Sequence, residues 1–250
     1  MTETTMPADD VSADTQGRSR QKGALLFLRD ILVIFVVALL VSFLVKTFLV
    51  RSFYIPSASM EETLQVDDRI LVNELVPDLV ELERGDVIVF RDPGGWLPLS
   101  PEPDAPPLTV AADWVLSLVG LSASDSDDHL IKRLIGLPGD HVVCCNALGQ
   151  MSVNDVPLAE PYVTLQPGTT DVSKDPFDVV VPENSLWVMG DNRYNSRDSR
   201  YNREQPGNGF VPVDNVVGRA FVISWPTVHW GWLENFPEVF AGVPDAEPVK

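Results

Sequence analysis

Three segments of this chain gather side chains that could do chemistry. Phe53-Tyr-Ile-Pro-Ser-Ala-Ser-Met60 sets two serines two residues apart behind a proline. His129-Leu-Ile-Lys-Arg-Leu-Ile-Gly-Leu-Pro-Gly-Asp140 places Lys132 inside an apolar strand pattern. Gly190-Asp-Asn-Arg-Tyr-Asn-Ser-Arg-Asp-Ser-Arg200 alternates charges and amides too densely for a hydrophobic strand. A serine hydroxyl is a weak nucleophile until a base takes its proton. Free lysine has a pKa near 10.4, so only about one in a few thousand is neutral at pH 7. Desolvation in an apolar site can lower such a pKa by up to about 3–5 pH units. Taken singly, each segment also has a plain reading: turn-forming serines, a lysine on an exposed strand face, and a solvated, salt-bridged loop.

Other chemistries find less support. The chain holds no His-Glu-x-x-His zinc pair, no Gly-rich phosphate loop ending in Lys-Ser/Thr, and no Gly-x-Ser-x-Gly elbow. His129, His141 and His229 stand in a polar linker, a strand start and an aromatic tail, none of them a triad setting. Two cysteines, Cys144 and Cys145, are too few for a disulfide scaffold or a zinc cluster. Across a trans peptide their Cα atoms lie about 3.8 Å apart, below the usual disulfide range, so two thiols on opposite faces of a strand are expected over a vicinal bridge. No metal or organic cofactor is expected. With 36 acidic against 18 basic residues the chain is no general nucleic-acid binder.

The elements that position these segments divide in two. Ile31–Val45 is apolar throughout, about 15 residues or roughly 22 Å of helix. Leu25–Leu28 and Thr47–Val50 extend it to a membrane span, with Arg29 and Lys46 snorkelling to the two surfaces. We therefore expect a cytoplasmic, disordered N-terminal segment over 1–23 and a transmembrane anchor over 24–50. Arg18, Arg20, Lys22 and Arg29 favour a cytoplasmic N-terminus, although Lys46 and Arg51 weaken the contrast. A β-rich domain follows over 51–225, outside the cytoplasm. Its β-branched runs at 69–74, 86–90, 130–135, 141–145, 151–153, 177–181, 186–189 and 218–224 are separated by turn residues. With no long helical pattern between them, the fold class is mostly β, an antiparallel sheet domain behind one transmembrane helix. A Pro/Asp-rich insertion interrupts it over 92–128, where Val110–Leu121 suggests a short helix. An aromatic tail over 226–250 carries Trp230 and Trp232, suited to a membrane-facing rim or to core packing.

Taken in order, Ile-Pro-Ser-x-Ser-Met, Arg84-Gly-Asp-Val-Ile-Val-Phe90, Ile-Lys-Arg-x-Ile-Gly-Leu-Pro-Gly-Asp and Gly-Asp-Asn-Arg-x-Asn-Ser-x-Asp-Ser-Arg closely resemble the four motifs of the bacterial type I signal peptidases. These are membrane-bound serine proteases with a Ser-Lys dyad, and the resemblance runs from the anchor to about Trp225. It implies Ser59 as nucleophile, Lys132 as general base, and an oxyanion hole made by the Ser57 hydroxyl and the Ser59 N–H. It further implies that Ser196 orients the lysine amine, that Asp198 and Arg200 brace the site, and that Phe53, Ile55 and Ile131 line the substrate pockets. The implied partners are exported preproteins with small residues at −1 and −3, bound extended by β-addition, and the lipid bilayer. The implied location is the bacterial plasma membrane, single-pass, with the catalytic domain outside. One departure stands out: many members have proline two residues after the methionine, where this chain has Glu62.

Overall fold

The computed structural model describes residues 14–97 and 128–246, without the side chains of 14–25 and 44–48. The suggested helix Val110–Leu121 and most of the 92–128 insertion lie outside the described residues. So do residues 1–13 of the expected N-terminal segment.

Helix α1 spans Asp14–Phe48, 35 residues. It starts within the polar stretch expected to lack structure, because helical hydrogen bonding propagates through residues that carry no hydrophobic period of their own. Leu26–Phe43 is long and apolar enough to cross a membrane, and its large side chains are exposed all round.

Residues 48–250 form a separate unit built on two antiparallel sheets. The strands are β1 Val50–Tyr54, β2 Arg69–Asn73, β3 Val87–Arg91, β4 His129–Gly136, β5 His141–Cys144 and β6 Ser152–Val153. They continue with β7 Val156–Pro157, β8 Phe177–Val180, β9 Ser185–Met189, β10 Val211–Pro212, β11 Val216–Trp225 and β12 Gly231–Trp232. The larger sheet runs β1-β2-β11-β3-β4-β9-β10 with β12 on β11, and the smaller runs β7-β6-β5-β8. This is the mostly-β, antiparallel class that the alternating runs imply. Asn154 and Asp155 both adopt positive φ, 49° and 66°, and close the β6–β7 turn.

The insertion leaves and returns at one place. Arg91 stands opposite His129 in the β3–β4 register, and Asp92 N–H donates to Asp128 O at 3.0 Å. β3 and β4 are thus paired up to the point where the chain leaves and returns. β4 then changes neighbours along its length. Its register with β3 covers His129–Arg133, whereas β9 pairs only from Arg133 onward. Among the described residues, the His129–Lys132 half therefore keeps one open edge.

One core cluster joins Phe53 of β1 and Ile55, Met60 and Leu64 after it to Val87 and Val89 of β3 and Ile131 of β4. Another, with Ile135, Val142, Met151, Phe177 and Trp187, lies between the sheets. The short helix α2, Pro237–Phe240, seals the latter with Val239 and Phe240. Val243 joins them in that cluster, whereas the tryptophans here face outward. Trp225, Trp230 and Trp232 are 56%, 74% and 77% exposed.

Cys144 and Cys145 differ from the expectation of two thiols. They form a vicinal disulfide across a cis peptide, with Cα atoms 3.0 Å apart. The expectation assumed the longer trans separation.

Candidate active site

Ser59 sits in a single 3-10 turn, Ala58–Met60, that follows β1 and Pro56. The turn is short because Met60 and Leu64 plunge into the core, and Thr63 and Leu64 N–H both return to Met60 O, at 3.1 and 2.7 Å. Two bonds between Ile55 and the Asp67–Asp68 pair, 3.0 and 2.9 Å, close the loop behind it. Asn192 holds it from the other side. Its N–H donates to Ser59 O at 3.2 Å, and its side-chain amide to Ala58 O at 3.1 Å.

Lys132 comes from the open half of β4, opposite Ile88 of β3. It is 4% exposed, Ser59 7%. Lys132 Nζ lies 2.7 Å from Ser59 Oγ and donates a second bond of 2.7 Å to Ile131 O. Burial pulls its pKa from 10.5 down to about 8, while the Asp198 and Asp191 carboxylates work the other way. Ser57 Oγ, on the exposed side of the turn, donates to Ser59 Oγ at 3.3 Å. Ser59 N–H belongs to the first turn of its 3-10 segment, where amides lack an intrahelical acceptor.

The 190–200 segment is no solvated loop. Asp191, Arg193, Asp198 and Arg200 are all buried. Asp198 takes a bidentate pair from Arg200, 2.8 and 2.7 Å, and the Gly190 N–H at 2.9 Å. Burial alone would raise its carboxyl, but the Arg200 charge and these donors hold it below the usual range. Arg193 is neutralised by Glu160, 2.8 and 2.6 Å, and Arg133 by Asp191, 2.8 and 2.7 Å. Buried charges are tolerated here because each has a partner and further hydrogen bonds.

Two readings of the sequence meet a different geometry. Ser196 is buried beside the dyad, yet it gives Lys132 no hydrogen bond. Lys132 bonds its own strand at Ile131 O instead. The Ser196 hydroxyl helps hold the Asp198 carboxyl down. Phe53, Ile55 and Ile131 are core residues and do not line the cleft beside Ser59. That cleft, about 800 Å³, is walled by residues including Trp96, Leu97, Leu130, Lys174, Tyr194 and Tyr201, along with Ser57, Ser59, Lys132 and Ser196.

Sequence reasoning missed Arg133, Asp191 and Glu160. The first two stand inside quoted motifs, beside Lys132 and Gly190, so a signal existed; Glu160 stands in none. Gly190 itself is needed for space: a Cβ there would collide with Ser196 Oγ and the Ser59 carbonyl oxygen.

A buried serine hydroxyl in contact with a desolvated amine can attack a carbonyl carbon, and Ser57 can donate to the oxyanion that forms. Comparison with known proteins points the same way. The family described as signal peptidase, peptidase S26 matches residues 28–225. The signal peptidase I of Mycobacterium tuberculosis (strain ATCC 25618 / H37Rv) is 39% identical over 227 residues, 83% of this chain and 76% of that protein. A protein of Mycobacterium leprae (strain TN) named "Probable signal peptidase I" is 37% identical over 201 residues, 71% of this chain and 69% of its own.

Proposed function

The chain belongs to the signal peptidase family, peptidase S26, and is a peptidase; from that premise we propose that it removes leader peptides from exported preproteins with a Ser59–Lys132 dyad. The observation that carries this reading is the 2.7 Å contact between Lys132 Nζ and Ser59 Oγ, both buried. Neutral Lys132 takes the Ser59 proton as Oγ attacks the scissile carbonyl carbon. The resulting oxyanion accepts from the Ser57 hydroxyl and the Ser59 N–H; such a donor is worth about 3–4 kcal/mol in the transition state. The Lys132 ammonium then protonates the leaving amine, and the acyl-enzyme forms. Water, deprotonated by Lys132, attacks that ester and frees the leader. Asp198 and Arg200 brace the wall behind the dyad, and Ser196 steadies the lysine through the packing around Gly190.

The substrate lies extended between β1 and the open half of β4. These edges approach each other, with the Phe53 and His129 rings 5.3 Å apart. Main-chain pairing to an open edge is the β-addition mode, and the substrates carry small residues at −1 and −3.

The protein is anchored once in the plasma membrane, N-terminus inside and catalytic unit outside. Support comes from the exposed apolar surface of Leu26–Phe43, which water would not tolerate. Exposed Trp225, Trp230 and Trp232 suit the lipid headgroup level.

The test compares wild type, Ser59→Ala and Lys132→Ala on a preprotein in detergent micelles. Processing at an Ala-x-Ala boundary by wild type alone supports the dyad. Wild-type rates in either variant would overturn it.

A further inference from the structure

The cleft has a second wall to which the dyad assigns no task. Lys174, Tyr194, Asn195, Arg197 and Tyr201 line it, away from the β1 and β4 edges. Lys174 and Arg197 are exposed. Among the described residues neither forms an ion pair, whereas Arg193 and Arg200 of the same segment are neutralised by Glu160 and Asp198. Carboxylates are not scarce in a chain with 36 of them, yet among the described residues the cleft lining contains one, Asp175. The two cations leave this wall net positive on a molecule of charge −18.

Both positions are held. Lys174 Nζ lies 4.9 Å from the Tyr194 ring centroid, within cation–π range. Tyr194 OH donates to Asp171 O at 2.7 Å, which fixes that ring. Arg197 stands between Ser196 and Asp198, both buried, so its backbone is anchored and its guanidinium faces outward.

We infer that Lys174 and Arg197 form a specificity subsite for an acidic side chain on the part of the substrate that follows the cut. The inference rests on the proposed function. A leader held extended against β1 and β4 brings its last carbonyl to Ser59, and the chain beyond that carbonyl leaves across the remaining wall. A carboxylate there accepts hydrogen bonds from the guanidinium fork and the ammonium. Because the wall is open to water, the preference is moderate and sensitive to salt.

The test uses the full chain in detergent micelles and peptides sharing one leader, with Glu, Gln or Lys in the first three positions after the cut. At low salt, kcat/KM for the Glu peptide exceeds that for the Gln peptide by roughly threefold to tenfold, and about 0.5 M NaCl erodes the difference. In Lys174→Ala/Arg197→Ala the Glu-to-Gln ratio falls to about one, and in Arg197→Glu the Lys peptide overtakes the Glu peptide. Each ratio is internal to one enzyme preparation, so a partly folded variant still reports it. Equal wild-type rates on Glu and Gln peptides overturn the inference, as does a ratio that survives in the double variant. An identical preference for acids placed before the cut also overturns it. Failure of wild type to cleave any of the peptides sinks the proposed function and this subsite together, whereas cleavage without charge preference sinks the subsite alone.

Discussion

Arg133 and Asp191 grip each other through two parallel hydrogen bonds, 2.8 and 2.7 Å, one residue along β4 from Lys132. Asp191 also accepts from Thr63 Oγ1, which links the turn after Ser59 to the strand that carries the lysine. The pair therefore joins the Ser59 segment to the Lys132 segment while placing a carboxylate close enough to act on the Lys132 charge.

That charge sets the pH profile. Only neutral Lys132 can take the serine proton, so below a pKa of about 8 kcat/KM rises about tenfold per pH unit and then levels off. Asp198 and Asp191 raise the lysine pKa, so Asp191→Asn moves the rising limb to lower pH. A pH–rate series on both proteins checks this, and a limb that stays put or moves upward contradicts the assignment of Lys132 as base.

Function and stability oppose each other at the same residue. Burial lowers the Lys132 pKa from 10.5 to about 8, which at about 1.36 kcal/mol per pH unit disfavours the folded state by roughly 3 kcal/mol at neutral pH. The sign follows from proton counts: between these pKa values the unfolded chain binds more protons, so stability rises with pH across that window. Lys132→Met removes the penalty. We expect an inactive protein with a higher Tm at pH 7, and a gain that shrinks toward pH 10; thermal unfolding at both pH values measures it.

Ser57→Ala removes a hydroxyl that donates to Ser59 Oγ at rest and, on the proposed mechanism, to the oxyanion in the transition state. The expected loss is about 10²–10³ in kcat with little change in KM. Steady-state kinetics that showed a rise in KM at constant kcat would place Ser57 in ground-state binding instead.

Ser196→Ala is expected to slow cleavage less than Ser59→Ala or Lys132→Ala, since Ser196 makes no hydrogen bond to the lysine. Gly190→Ala is expected to cost more than Ser196→Ala, because its methyl meets both Ser196 Oγ and the Ser59 carbonyl oxygen. Kinetics on the three variants give the order, and a Gly190→Ala enzyme at full rate would refute the packing argument.

Much of this architecture was legible in the sequence, for identifiable reasons. The runs 69–74 and 186–189 fall on β2 and β9 within a residue, since β-branched runs bounded by turn residues leave few other options. Ser59 and Lys132 could be singled out because their motifs are local. What stayed hidden depends on contacts between distant residues. The 190–200 segment reads as solvated because burying four charges is costly, and nothing local announces that Glu160, over thirty residues away, neutralises Arg193. Phe53 and Ile55 alternate correctly for β1 but turn into the core rather than the cleft. Glu62 also resists a sequence reading. Its φ of 84° is closed to proline, whose ring fixes φ near −65°. The turn after Met60 therefore takes a path that a proline-bearing relative cannot share at this residue.

The half-open edge of β4 bears on how many substrates one enzyme can serve. Amide and carbonyl groups are the same in nineteen of the twenty residue types, so a template made of main chain reads extension and not identity. On the proposed reading, leaders of unrelated sequence occupy the same rungs, and breadth of clientele comes from one four-residue stretch, His129–Lys132.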